Sequence, residues 1–143
     1  MRLSTKGRYG LKAMLDLALH NGEGPVALKS IAERQNLSEN YLEQLFAALK
    51  KAGHVTSVRG AQGGYLLAKN PDSITIGSIL RSLEGSLAPV DCVVEDKPAK
   101  CDQFDNCVTK IVWEKIRDSV NEAVDSITLG DLVKEANKGS VLS

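Results

Sequence analysis

The sequence predicts a mainly α fold in which a three-helix unit carries a β-hairpin and a long helix lies near the end of the chain. Three observations carry this reading. Apolar residues recur at helical spacing in two early stretches, Leu11, Met14, Leu15, Ala18 and then Leu42, Leu45, Phe46, Leu49. After Gly53 the period switches to short β-branched and apolar runs, HVTSV and YLLAK, on either side of a glycine-rich RGAQGG. Helical spacing then returns in an apolar series from Val108 to Ile127.

The first helix is expected from about Thr5 to His20, stopped by Asn21, Gly22, Gly24 and Pro25. A shorter second helix buries Leu28, Ile31 and Ala32, places Lys29, Glu33 and Arg34 outside, and breaks over Gln35, Asn36 and Leu37. Ser38 has an N-capping side chain and Glu39 suits the positive pole of a helix, so a third helix starts within a few residues. Two helices joined so tightly form a helix-turn-helix. In the third helix the stripe from Leu42 to Leu49 defines the core face. Asn40, Gln44, Ala47 and Lys51 lie opposite, with Tyr41, Glu43 and Ala48 on the flanks. That outer face is polar yet nearly uncharged at its start, where a solvated helix more often carries Lys and Glu pairs. Amides bond an adenine edge bidentately, Glu accepts from cytosine, and small alanines let a helix enter a major groove. Amides on an exposed helix face also occur without any such role.

In the hairpin, Gly60, Gly63 and Gly64 allow positive φ and close backbone approach, and Arg59 and Gln62 project from the turn. No Lys-Ser/Thr and no helix follow these glycines, so they do not form a nucleotide-phosphate loop. Three helices with such a hairpin make a winged helix-turn-helix, whose wing tip sets Arg59 against phosphates or in a minor groove. Asn70, Pro71 and Asp72 turn the chain into a fourth helix on Ile76, Ile79, Leu80 and Leu83, ended by Gly85. Asn106 is expected to cap a longer helix with Val108, Ile111, Val112, Ile116, Val120, Ala123, Val124 and Ile127 on one side. That stripe is longer than a small domain covers, so it is expected to pack against a second copy, folding back on its own domain being the alternative. Thr128 and Asp131 open a last helix, to about Asn137, with a capping box. The expected organisation is a winged helix-turn-helix domain over 1–84, a cysteine-bearing loop over 85–107, and a dimerisation helix with a C-terminal helix over 107–143.

At 143 residues the chain supports one ordinary core with a short appendage. No apolar run approaches the roughly 20 residues that cross a bilayer. The start, MRLSTKGRYGLKAML, lacks the apolar stretch and cleavage site of a signal peptide, so a reducing, cytoplasmic setting is expected. The net charge is zero, but unevenly distributed. Residues 1–70 hold ten Lys or Arg against five Asp or Glu, and residues 71–143 hold eight against thirteen. A basic front and an acidic rear suit a chain whose first half meets nucleic acid, although chance segregation of solvated charges gives the same totals. With no Ser/His/Asp set, no catalytic carboxylate pair and two histidines, the chain is not expected to be an enzyme.

All three cysteines fall in CVVEDKPAKCDQFDNC, at Cys92, Cys101 and Cys107, spaced C-x8-C and C-x5-C in a polar loop. An odd number of thiols in a reducing compartment argues against a disulfide framework. Structural zinc usually shows tight C-x2-C knuckles, and longer uneven spacings suit an iron-sulfur cluster. Cys107 also falls at the first turn of the expected helix, where the dipole favours a thiolate. Cluster, zinc and a bare redox thiol switch all remain open on this chemistry.

MRLSTKGRYGLKAMLDLA, LSENYLEQLF, VRGAQGGYLLAK and CVTKIVW together resemble the IscR-type iron-sulfur cluster regulators, a family that also takes in nitrite- and nitric-oxide-responsive NsrR proteins and the cysteine-metabolism regulator CymR. The resemblance runs over nearly the whole chain. It implies a homodimeric winged-helix transcription regulator, with Cys92, Cys101 and Cys107 as ligands of an iron-sulfur cluster, 2Fe-2S in preference to 4Fe-4S, and cluster-assembly genes as targets. A double-stranded operator is then the expected partner. Ser38, Asn40, Tyr41, Glu43 and Gln44 would lie near bases and phosphates, Lys6, Arg8, Lys50 and Lys51 at phosphates, and Arg59 and Gln62 on the wing. The histidine that follows the last cysteine by three residues in cluster-binding members is Lys110 here, and Arg8 stands where related regulators carry an acidic ligand. The fourth ligand is thus unassigned, with Glu95, Asp102 and Asp105 as nearby oxygen donors, while LEGSLAP and EDKPAK look closer to the CymR branch.

Overall fold

The computed structural model describes residues 3–95 and 108–139. Its first helix, α1 (Thr5–Leu19), begins where the Ser4 hydroxyl accepts from the Lys6 amide at 3.2 Å. Helix α2 (Leu28–Gln35) ends at Asn36 in the left-handed region, φ 55° and ψ 49°. The Leu37 amide then reaches back to the Ala32 carbonyl at 3.0 Å, a Schellman closure that leaves Ser38 free to cap the next helix. Helix α3 (Glu39–Lys51) starts there, with Ser38 Oγ accepting from the Tyr41 amide at 3.1 Å. The helix-turn-helix is therefore set by Asn36, Leu37 and Ser38. Phe46 fills the middle of the core with Met14, Leu17, Ile31, Leu42 and Leu49, all fully buried.

Strands β1 (Val55–Val58) and β2 (Gly64–Leu67) form the antiparallel wing, with Val55 opposite Leu67 and Val58 opposite Gly64. A third edge, not visible in the sequence, is added by Val26, whose amide and carbonyl both bond Tyr65, at 2.9 and 2.8 Å. Gly64, at φ 156°, makes this approach feasible, because a Cβ there would collide with the Val26 carbonyl.

Helix α4 (Ile76–Glu84), capped by Thr75, packs along α1, where Gly10 leaves room for Leu83. Helix α5 (Lys110–Asp125) crosses α4, and α6 (Leu129–Asn137) returns to α1. The Ile76 amide donates to the Ile127 carbonyl and the Leu129 amide to the Ile74 carbonyl, both at 2.8 Å, so Leu129 ends inside the main core. Both halves of the capping box are present: Thr128 Oγ1 accepts from the Asp131 amide at 3.1 Å, and Asp131 accepts from the Thr128 amide at 2.9 Å. The expected cap of α5 at Asn106 lies outside the described residues. The described helix starts at Lys110. The chain is thus mainly α with a small antiparallel wing, a winged helix-turn-helix.

Arg34 lies outside as expected, and its guanidinium also grips the buried Asp16 of α1, a pairing not foreseen from the sequence, with Nε to Oδ2 at 2.9 Å and Nη2 to Oδ1 at 2.6 Å. Gln35 adds a bond to the same carboxylate at 3.0 Å. A carboxylate buried to this extent must be paired, and this bidentate pair locks α2 onto α1.

Candidate DNA-binding face and cysteine segment

The face opposite the α3 core stripe presents Asn40, Glu43, Gln44 and Lys51 to solvent, and Ser38 and Lys50 are exposed at its two ends. Tyr41 is half-buried: its hydroxyl donates to Thr5 Oγ1 at 3.1 Å, and its ring meets that of Tyr9 edge to face at 6.3 Å between centroids. The start of α1 is therefore fastened to the start of α3. Lys6 and Arg8 are exposed on that first turn, and the Arg8 guanidinium lies 5.7 Å from the Tyr9 ring centre. Lys12 also lies near the ring, with its Nζ 5.9 Å from the centre. The sequence reading missed Lys12, although its place four residues after Arg8 puts it on the same helix face.

At the far end of α3, Lys50 Nζ donates to the Ser57 hydroxyl of β1 at 2.6 Å. This bond ties the helix end to the wing, so Lys50 has a structural partner as well as an exposed charge. Arg59 and Gln62 are exposed at the hairpin tip, beside Gly60 at φ 109°. The α1 start, α3 and the wing are thus joined side by side by the Tyr41–Thr5 and Lys50–Ser57 bonds. Chemically this is a polar helix face flanked by cations, an arrangement suited to base edges in the middle and phosphates at the sides.

The cysteine segment follows α4, and its described start packs against α5. Cys92 lies half-buried in a short 3-10 turn (Asp91–Val93), which Val93 anchors with its buried side chain. Arg117 of α5 donates to the Val93 carbonyl at 3.0 Å. Glu95 accepts from Ser86 Oγ at 2.8 Å and from Asn121 Nδ2 at 2.9 Å. Partial burial by itself would raise the Glu95 pKa, but these two hydrogen bonds, its own backbone amide and the Arg117 charge together outweigh it and hold the carboxyl below the ordinary range. Asn121 also accepts from Arg81 Nη2 at 2.9 Å, and Arg81 pairs with Asp125 at 2.7 Å. Gly77 permits this close crossing of α4 and α5, since a Cβ there would meet Asp125.

Cys101, Cys107, Asp102 and Asp105 lie outside the described residues. Three thiolates fit an iron-sulfur cluster as a donor type, but the described residues contribute Cys92 alone and supply no fourth ligand. Both Glu95 oxygens are engaged, His20 bonds the Asp16 carbonyl at 2.8 Å, and His54 bonds Ser82 at 3.0 Å. No group of three or more metal-ligating side chains occurs among the described residues. No helix among them is long and apolar enough to cross a membrane.

A winged helix-turn-helix with this polar, cation-flanked face defines a DNA-binding transcription regulator. The chain belongs to the Rrf2 family, whose profile, described as an iron-dependent transcriptional regulator, matches residues 3–135. It is 52% identical over 132 residues to the transcriptional regulator CymR of Bacillus subtilis (strain 168), covering 92% of this chain and 89% of that protein. It is 45% identical over 133 residues to IscR of Pectobacterium atrosepticum, covering 93% and 79%. The structure of IscR from T. potens superimposes with a TM-score of 0.79 at 55% identity, covering 100% of this chain and 93% of that one. These relatives are regulators and not enzymes.

Proposed function

We propose that this chain is a cytoplasmic, homodimeric repressor whose operator affinity depends on an iron-sulfur cluster held by Cys92, Cys101 and Cys107. The observation that carries the reading is the gathering of all three thiols in one segment whose entry is hooked to α5 through Arg117 and Glu95. Asn40, Glu43 and Gln44 read base edges in a major groove, Lys6, Arg8 and Lys51 hold phosphates, and Arg59 and Gln62 act from the wing. The exposed Val108, just before α5, and Ile111 and Val112 of α5 meet the same face of a second copy, placing two reading helices on half-sites about one helical turn apart. A bound cluster would supply an iron-dependent, oxidisable cross-link between the three thiolates. The arrival of such a group shifts DNA binding only if the two states of the segment differ in their affinity for DNA.

Anaerobic purification tests this. A brown protein carrying iron and acid-labile sulfide, whose visible absorbance is lost in Cys92→Ala, supports the reading, and a colourless protein without iron refutes it. A second reading has its own support: the 52% identity to CymR and the placement of Lys110, whose ammonium has no lone pair to offer a metal, favour a cysteine-metabolism repressor. That reading predicts a colourless protein whose operator binding is unaffected by iron supply.

A further inference from the structure

Glu84 ends α4, directly before Gly85, which turns at φ 82°. An anionic side chain at a helix C-terminus faces the negative pole of its own helix and is placed unfavourably unless something else compensates. Here the carboxylate reaches across to α1. It accepts from the Ser4 amide at 2.7 Å, the Ser4 hydroxyl at 2.7 Å and the Gly7 amide at 3.0 Å. These donors lie at the positive end of α1, where charge-assisted hydrogen bonds to a carboxylate are strong. Gly7 is what admits it, since a Cβ at this position would come within 2.6 Å of Glu84 Oε2.

The clamped turn carries Lys6 and Arg8 on either side of Gly7. Among the described residues neither cation forms an ion pair, and the Glu84 oxygens bond Ser4 and the Gly7 amide instead of a cation. The same turn is held from its other side by the Tyr41–Thr5 bond to α3. Without Glu84 the turn would keep one anchor out of two, and the cations would lose their fixed angle to the reading helix. We propose that Glu84 is a positioning residue for DNA binding: it sets the first turn of α1 so that Lys6 and Arg8 meet phosphates in register with α3. The inference rests on the reading that Lys6 and Arg8 touch DNA.

The test is fluorescence anisotropy across a salt series with the full-length protein and a labelled duplex enriched by that protein from a randomised pool. The variants are Glu84→Gln, Glu84→Ala, Lys6→Ala, Arg8→Ala and the double variant Glu84→Gln with Lys6→Ala. Thermal melts establish that each variant folds, and Glu84→Gln keeps the side-chain volume if Glu84→Ala does not fold. Glu84→Gln is expected to bind about five- to tenfold more weakly, with a log–log salt slope shallower by about 0.9 for each phosphate that is no longer neutralised. Lys6→Ala should cost less in the Glu84→Gln background than in the wild type, because the lysine is already misplaced there. A Glu84→Gln protein with wild-type affinity and slope, or effects that simply add, overturns the role of Glu84. Wild-type binding by Lys6→Ala and Arg8→Ala overturns instead the underlying assignment of these two cations to phosphates, so the two failures are distinguishable.

Discussion

Helices α3 and α5 carry the same kind of apolar stripe and meet opposite fates. On α3, Leu42, Leu45, Phe46 and Leu49 are all at most 3% exposed. On α5 no residue is buried: Val120 and Val124 lean on the core, while Ile111 and Val112 are 62% and 51% exposed. Helical spacing shows that a stripe needs cover but not where the cover comes from. The α3 stripe finds it in α1, α2, α4 and β1, whereas the first half of α5 leaves Ile111 and Val112 exposed on this subunit. The one region builds the fold, and the other is the face that the proposed dimer would cover.

The largest effect should come from the covered stripe. Phe46→Ala is expected to lower unfolding stability by about 3–5 kcal/mol, read by chemical denaturation, because a ring fully enclosed by the helices and by Tyr65 of β2 leaves a cavity that they only partly fill. A change near zero would mean that this stripe is no better covered than that of α5. Next in size, Ile111→Asp should weaken self-association by about 2 kcal/mol, roughly thirtyfold, in sedimentation at graded concentrations. The folding of the isolated subunit should change by no more than about 0.5 kcal/mol, as for an exposed position. A variant that stays dimeric at the same concentrations would break the contrast, by removing the second copy as the cover for this face.

Local signals were legible in the sequence, and distant pairings were not. The α3 stripe, the Ser38 cap, the polar break at Asn36 and the Thr128–Asp131 box each depend on residues within one or two turns, and each is found as expected. The Asp16–Arg34 pair escaped because its partners are 18 residues apart and an acid on an apolar face looks like a break in the pattern. Val26 joins the sheet as a single residue, too short to show alternation. Glu84 holds α1 across 80 and 77 positions of sequence, beyond the reach of any local rule. For the cysteines the spacing was plain, but a fourth ligand is chosen by tertiary proximity, and Glu95, a candidate by sequence, is occupied by Ser86 and Asn121.

The smallest effect separates the two regions by pH. His54 is buried beside α4, with Nε2 3.0 Å from Ser82 Oγ and 3.3 Å from the Ser78 carbonyl. Ser82 already donates its own proton to Ser78 at 2.7 Å, so Nε2 is the protonated ring nitrogen and Nδ1 the bare one, buried without a hydrogen-bond partner among the described residues. Charging the ring would place a second N–H where none of the described residues accepts it. Burial, with a smaller contribution from the Lys69 charge, accordingly pushes the His54 pKa down, against the opposing hydrogen bond to Ser78. As pH falls below the unfolded value of about 6.5, the unfolded chain takes up a proton that the folded chain refuses, so stability is lost toward acid at no more than about 1.4 kcal/mol per pH unit. His54→Gln, which offers an N–H at similar reach and does not titrate, should flatten that part of the denaturation profile between about pH 7.5 and 5.5. Helix α5 has no histidine, so self-association through its outer face should change little over the same range. An equal acid loss in wild type and His54→Gln would show that the ring is not the group responsible, and that the covered side owes its pH response to another pair.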